Sequence, residues 1–236
     1  MPGAPLRRNS GQAFPVGEGA PASSTGVHAL VEQSISVGNP TITTASRTTQ
    51  ASGSSLVVCA ARGETTLLLA STISDNKGNT PFVQRAKRNY DDFPGSAAGL
   101  YTFLNAAGGS GHTLTLSNLS SDEGTLAFVE VKNGLTVQDV NSSNAGSSGS
   151  LVSPTVTTTG PATIVAFCAG GGSSGISSYG GVSNGFTLLD SYGATDALSV
   201  QVAAASRDVS GAGTYGLTWT ISPAQNALLF IIAIGA

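Results

Sequence analysis

The sequence predicts an all-β protein, an antiparallel β-sandwich built from two homologous halves and preceded by an extended N-terminal arm. Three observations lead to this prediction. Short runs rich in Val, Ile, Thr, Phe and Tyr are bounded by Gly, Asn, Asp and Ser, as is typical of strands and turns. No segment of helical length has a 3.6-residue apolar period. The first half of the chain also resembles the second half.

The resemblance between the halves is carried by two matched segments. The run PTITTAS, which begins at Pro40, returns at Pro154 as PTVTTTG, and the run SSLVVCA returns as ATIVAFCA. The chain has two cysteines: Cys59 lies in SSLVVCA and Cys168 in ATIVAFCA. We therefore expect halves of about residues 40–134 and 154–236. We also expect the cysteines to be small buried residues at related sites.

The length of the repeat bears on the number of domains. The offset of 114 residues between Pro40 and Pro154 exceeds the roughly 20 to 50 residues of solenoid and propeller units. The sequence predicts one sandwich over residues 29–236, which buries the apolar edges of both halves. The alternative is two tandem small sandwiches divided near residues 141–150, where the run NSSNAGSSG resembles a linker.

Strand predictions follow the apolar runs along the chain. Runs that are apolar at every position, such as 56–61 and 228–234, predict strands covered on both faces. The alternation at 155–157 predicts an outer strand with one face in solvent. The predicted strands are 30–37, 40–46, 54–61, 66–73, 81–88, 98–105, 112–117 and 125–132, then 135–140, 151–159, 162–169, 185–192, 197–205, 214–221 and 226–234.

Residues 1–28 form the predicted arm. Their prolines and their Gly, Ala and Ser residues disfavour a helix or a central strand. One interpretation is a disordered tail; the other is a docking peptide that orders on a partner. The docking contacts would then come from Leu6, Arg7, Arg8, Phe14 and Val16. No apolar stretch follows the arginine pair, so we expect no export signal.

Composition argues against several classes of function. The net charge is −3 and only 10% of residues are charged, so no basic surface for nucleic acid is expected. The longest apolar run, 227–234, is far shorter than the roughly 20 residues of a membrane helix, so no membrane partner is expected. Two Cys and two His without ligand spacing predict neither a metal site nor a cofactor.

No motif indicates catalysis. A Ser, His and acid triad requires three side chains that converge, yet His28 lies at the edge of the arm and His112 begins a predicted strand. The acidic pairs 91–92 and 122–123 lie in predicted turns, where solvated carboxylates are ordinary. We therefore predict a protein that is not an enzyme.

The segment DNKGNT at residues 75–80 predicts a tight turn. Asp and Asn side chains hydrogen-bond to their own backbone, and Gly78 tolerates a positive φ. A calcium loop is the alternative interpretation, but the segment lacks the closing Glu of that motif.

Two tyrosines are candidates for contact with a glycan. Tyr90 and Tyr179 each lie in a loop-like setting flanked by Gly or Asp, so their rings are expected to be exposed. Aromatic rings present a flat apolar face, on which a sugar could stack.

The chain resembles a diffuse class of jelly-roll-like β-sandwich domains in bacteriophage virion proteins and bacterial surface proteins. The resemblance covers about residues 30–236 and is carried by Ser74–Thr80, by the segment GLTVQD at 134–139 and by the closing strand at 227–233. One departure is Pro81, which stands before Phe82 where the aromatic usually follows directly.

The resemblance implies a jelly-roll-like sandwich in a virion or surface setting. We therefore expect a non-enzymatic virion structural protein, a phage capsid decoration or accessory subunit that docks through its arm on other virion proteins. It would oligomerise, and it would assemble in the host cytoplasm. The alternative is a glycan-binding module of a phage tail fibre or a bacterial adhesin.

Overall fold

The computed structural model describes residues 28–33, 41–63, 72–91, 95–117, 124–170, 176–191 and 201–236. As predicted, this part of the chain is all β: it contains antiparallel strands and no α-helix. Nothing in these ranges is a helix of the length and apolarity needed to cross a membrane.

The strands divide into two groups along the chain. The first half contains β1 (His28–Gln33), β2 (Ile42–Thr43), β3 (Ser54–Arg62), β4 (Ile73–Asp75), β5 (Val83–Asn89), β6 (Ala97–Ala106), β7 (Leu114–Leu116) and β8 (Gly124–Lys132). The second half contains β9 (Thr136–Val152), β10 (Val156–Thr158), β11 (Ala162–Gly170), β12 (Ser178–Val182), β13 (Thr187–Ser191), β14 (Gln201–Val209), β15 (Gly213–Tyr215) and β16 (Thr218–Gly235).

Each half contributes one large sheet. The first has the order β1-β8-β3-β6-β5, and the second contains β9-β16-β11-β14-β13, with β12 also paired to the beginning of β16. Within each half, the strands of these two series follow the same order: first, fifth, second, fourth and third along the chain.

The antiparallel pairs are nested within each half. In the first half β1 pairs with β8, β2 with β7 and β3 with β6. In the second half β9 pairs with β16, β10 with β15 and β11 with β14. Each half therefore folds as one long hairpin whose two arms are divided between two layers.

Three apolar cores hold the layers together. A common core lies between the two large sheets and contains Val57 and Leu100 from the first half with Phe167 and Phe230 from the second. A second core lies on the outer face of the first sheet, beneath β2, β4 and β7. A third core lies on the outer face of the second sheet, beneath β10, β15 and the beginning of β16. The molecule is thus a layered sandwich in which both faces of each large sheet are covered.

The central strands and one outer strand confirm the predictions made from apolar patterning. All nine residues of β3 are buried, as are all nine of β11. In β10, Val156 and Thr158 are buried while Thr157 is exposed. Continuous apolar runs therefore belong to doubly covered strands, and alternation belongs to the outer layer.

The segment at 141–150 corrects the linker interpretation. It forms the middle of β9 and pairs with β16, with Asn141 opposite Ile231 and Asn144 opposite Leu228. Its Ser, Asn and Gly residues have low strand propensity, so the pairing comes from the open edge of β16 and not from local preference. Strand β12 has no counterpart among the predicted strands. Most of the predicted strand at 66–73 lies outside the described residues.

The two cysteines are free and fully buried, as expected, but they do not occupy related sites. Cys59 faces the common core, whereas Cys168 faces the outer core of the second half. Neighbouring residues of a strand point to opposite faces, so a shift of one residue in the alignment of the halves exchanges the two sides. The expectation of matched sites was therefore wrong.

Candidate functional site

The predicted docking residues Leu6, Arg7, Arg8, Phe14 and Val16 lie outside the described residues, so their role in docking stays a prediction. The two predicted glycan contacts are described, and both are buried. Tyr90 is 2% exposed and Tyr179 is 8% exposed. The expectation that these rings are exposed was therefore wrong, and neither ring presents an accessible face to a glycan.

Both tyrosines pack against the end of β11. Tyr90 follows the edge strand β5 and turns into the common core, where its hydroxyl donates a hydrogen bond to the carbonyl of Gly170 at 3.2 Å. The Tyr179 hydroxyl lies beside the same glycine, within the outer core of the second half. Burial raises the pKa of both phenols. The two rings thus join β5 and β12 to β11 from opposite sides.

A buried polar cluster lies at one end of the first half. The Asp75 Oδ2 lies 2.8 Å from Nε2 of His112, and Nδ1 of His112 lies 2.8 Å from the Thr49 hydroxyl. The side chains of Asp75 and His112 are fully buried, and Thr49 is 6% exposed. We call these three residues the Asp75–His112–Thr49 cluster. It joins the end of β4, the segment before β7 and the chain between β2 and β3.

The turn after β4 positions the carboxylate. Asp75 Oδ1 accepts hydrogen bonds from the backbone N–H groups of Lys77 and Asn79, and Gly78 has a φ of +82°. Asn79 also donates to Asp75 Oδ2, and its amide exchanges two hydrogen bonds with the backbone of Ala107. The predicted turn therefore exists, and it fastens the carboxylate and a neighbouring loop together.

The hydrogen bonds determine which imidazole nitrogen carries a proton. An ionised carboxylate only accepts, so Nε2 of His112 donates to Asp75. In the neutral tautomer Nδ1 then accepts from the Thr49 hydroxyl, which itself accepts from the Gly109 N–H at 3.1 Å. Burial raises the pKa of the Asp75 carboxyl, while hydrogen bonds from His112, Asn79 and Lys77 lower it by more, so the net pKa lies below its ordinary value.

The cluster contains the three groups of a nucleophilic triad, but its geometry favours a structural role. A triad needs a hydroxyl that can reach a substrate. Here the Thr49 hydroxyl is buried and engaged by Gly109 and His112. Among the described residues, no three His, Cys, Asp or Glu side chains lie close enough together to hold a metal ion.

A second polar feature is an open groove on the second half. It has a volume of about 430 Å³, and it lies between the turn before β13, the end of β14 and β15. Within it, Arg207 Nη1 donates to the carbonyl of Asn184 at 2.6 Å, and the guanidinium lies 5.0 Å from the centre of the Tyr215 ring. The groove is lined by Asn184, Gly185, Arg207, Thr214, Tyr215 and Gly216.

No protein-family model matches this chain, no curated protein matches its sequence, and no solved structure matches its fold.

In the sequence, Asp75 belongs to a predicted turn and His112 to the start of a predicted strand, and no pattern joins them. They are 37 residues apart, and Thr49 is 63 residues from His112. Only the turn around Asp75 left a local signal. The contact among the three depends on the pairing of β7 with β2 and β4, which no local pattern encodes.

Proposed function

We propose that this protein is a non-enzymatic structural subunit of a virion, of the capsid decoration or accessory type. The observation that carries the proposal is the nested strand pairing. In each half the first strand pairs with the last, the second with the next to last and the third with the sixth. From this nesting we infer a jelly-roll-like topology, an architecture that recurs in viral capsid domains.

The use of the polar residues supports a scaffold. The Asp75–His112–Thr49 cluster fastens loops of the first half, and the tyrosine hydroxyls are directed at β11 inside the molecule. Fold alone does not determine function. The proposal therefore also rests on the position of these polar groups, which hydrogen-bond to one another and to the backbone inside the scaffold.

The surface composition is consistent with the same role. Charged residues make up 10% of the chain, and Gly, Ser and Thr fill many of the remaining surface positions. Such a surface interacts through hydroxyl and backbone groups over wide areas and makes little use of charge. In the proposal, the arm at 1–28 docks on another virion protein, and copies of the chain oligomerise.

The arm can be tested on particles from cells in which the gene for this chain is deleted. We expect the full-length chain to bind these particles and to elute as an oligomer in size-exclusion chromatography with light scattering. Removal of residues 2–28 should abolish binding, because the apolar contacts Leu6, Phe14 and Val16 are lost. Far-UV circular dichroism of the truncated chain should retain the β spectrum, since His28, the first residue of β1, is the one residue of a described strand that the deletion removes.

A matched control separates docking from general adhesion. Replacing Leu6, Phe14 and Val16 by Ser should weaken binding as the deletion does, whereas replacing Ala4, Ala13 and Ala20 by Ser should leave it unchanged. A monomeric chain whose particle binding survives the deletion would contradict the proposal. The proposal would also be contradicted if the source cells produce no virus particles either with or without this gene.

A glycan-binding module of a tail fibre or adhesin is the other function that the sequence suggests. Jelly rolls also occur in lectins. The burial of Tyr90 and Tyr179 removes the aromatic platform on which that alternative rested. Its remaining support is the groove beside Arg207.

A further inference from the structure

The guanidinium of Arg207 is held in a fixed orientation. Its Nη1 donates to the carbonyl of Asn184, and its Cζ lies over the ring of Tyr215. Asn184 is itself fixed, because its Nδ2 donates to the carbonyl of Gly216 at 2.9 Å. A cation over an aromatic face is attracted by the ring, so both contacts favour one rotamer of the arginine. The side chain is therefore organised before any ligand arrives.

This arrangement leaves one edge of the guanidinium for a ligand. Within the described part of the chain, neither Nε nor Nη2 of Arg207 donates to a protein group. These two N–H groups form the parallel fork that binds a carboxylate in a bidentate manner. Lysine could supply the charge at this place but not the fork.

The positive charge of Arg207 has no acidic partner among the described residues. The next residue, Asp208, points to the other side of the strand, where its Oδ1 accepts from the Thr163 hydroxyl at 2.6 Å. An anion entering the groove would therefore meet a cation that is still available for pairing.

The rest of the lining fits a ligand that is rich in hydroxyl groups. Thr214 contributes a hydroxyl, Asn184 contributes an amide oxygen, and Gly185 and Gly216 expose backbone. The volume of about 430 Å³ is within the range of roughly 300 to 1,000 Å³ for small-molecule sites, but the groove is open and its lining is polar. An acidic peptide would also need apolar pockets for the side chains next to its carboxylate, and the lining residues of the groove form no such pockets.

We propose that this groove binds an acidic sugar, with the sugar carboxylate on the Nε and Nη2 edge of Arg207. The ring hydroxyls lie against Thr214 and the Asn184 amide. This inference goes beyond the structural role proposed above and does not depend on it, because the groove lies on the second half and involves no residue of the arm.

The test is titration of the full-length chain with glucuronate and N-acetylneuraminate, in which binding is measured by calorimetry and by ligand-observed NMR. Glucose, which lacks the carboxylate, is the matched ligand control. We expect dissociation constants of about 1 mM for the acids, because the groove is shallow and open. Arg207→Gln should weaken binding about tenfold or more, and Arg207→Lys should weaken it less, since charge remains without the fork. Arg85→Gln, on β5, should bind as the unaltered chain does.

Three results would overturn the inference. These are equal affinity for glucose and glucuronate, unchanged affinity in Arg207→Gln, or tighter binding of a Glu-rich peptide than of either sugar acid. Arg207→Gln could lose its fold because the arginine packs on Tyr215, and circular dichroism detects that. In that case Thr214→Val, which removes the rim hydroxyl together with its 3.5 Å contact to the Thr157 hydroxyl, should still reduce the affinity for the acids about threefold, as expected when one neutral hydrogen bond is lost. An unchanged affinity in Thr214→Val would then count against the site.

Discussion

The outer layers of the two halves both pack on apolar cores, but they differ in the side chains that join their strands. In the first half, β4 and β7 are joined by the buried Asp75–His112–Thr49 cluster, which is saturated by backbone hydrogen bonds. In the second half, the corresponding layer is apolar and centres on Trp219, which is fully buried and lies edge-on to Tyr179. The same nested strand order therefore accommodates a buried polar cluster in one outer layer and a buried Trp–Tyr pair in the other.

The two outer layers also differ in the lengths of their strands. Strands β2, β4 and β7 are short and separate from the large sheet, so side-chain hydrogen bonds must hold their ends. Strand β16 instead runs through 18 residues from the outer layer into the large sheet, with register shifts between Thr220 and Ala227. The short strands β10 and β15 of that layer also have side-chain hydrogen bonds near their ends, from the Leu217 N–H to the Ser153 hydroxyl and from the Thr158 hydroxyl to the carbonyl of Gly211. Both outer layers therefore use side-chain hydrogen bonds at the ends of their short strands, and the second layer is in addition continuous with its large sheet through β16.

The largest effect is expected from Trp219→Ala. Removal of the largest fully buried side chain leaves a cavity in the outer core of the second half and should lower the free energy of unfolding by about 3 to 5 kcal/mol. Because the chain has one tryptophan, urea unfolding should be followed by circular dichroism. Hydrogen exchange should accelerate in β12 and β16 before it does in β4 and β7.

Trp219→Phe is the milder control, and it should lose less because most of the volume remains. If Trp219→Ala accelerates hydrogen exchange equally in both outer layers, the two layers are not stabilised independently. The proposed difference between them would then be wrong.

Asp75→Asn should have the next largest effect. It removes the charge that His112, Asn79 and Lys77 stabilise and should cost about 2 kcal/mol at neutral pH. The pKa of Asp75 is lower in the folded chain than its ordinary value of 3.8. Its contribution is therefore fully present above that value and is lost as the pH falls through the folded pKa.

The measurement is urea unfolding from pH 7 down to pH 2. The unaltered chain should lose stability below about pH 3.8, and part of that loss should be missing in Asp75→Asn. Asp139→Asn serves as the control, since that carboxylate lies on β9 in the second half. Identical pH profiles of the unaltered chain and Asp75→Asn would refute the assigned role of the cluster.

The smallest effect is expected where the halves meet at their edges. Asn144 on β9 donates to the carbonyl of Asn89 at 3.0 Å and to Asp91 Oδ1 at 2.6 Å, which joins the edge of one large sheet to the other. Asn144→Ala should cost about 0.5 to 1.5 kcal/mol, because these exposed bonds compete with water. Hydrogen exchange at β5 should increase. Asn141→Ala, whose amide bonds to Thr155 within the second half, should leave β5 unchanged.

The sequence by itself determined the features that depend on neighbouring residues. The apolar runs of β3 and β11 predicted doubly covered strands, the alternation around Val156 predicted an outer strand, and the DNKGNT segment predicted its turn. These signals are local because burial on one or both faces and turn chemistry are written in adjacent side chains.

Only the tertiary structure decided the features that depend on distant pairing. The edge of β16 made a strand of the Ser- and Asn-rich segment at 141–150, and a shift of one residue placed Cys59 and Cys168 in different cores. Packing between layers buried Tyr90 and Tyr179, and the pairing of β7 brought His112 to Asp75. The physical reason is common to all four: backbone groups at an open strand edge accept almost any sequence, and which side chains then meet is set by register and layering over separations that a local pattern does not encode.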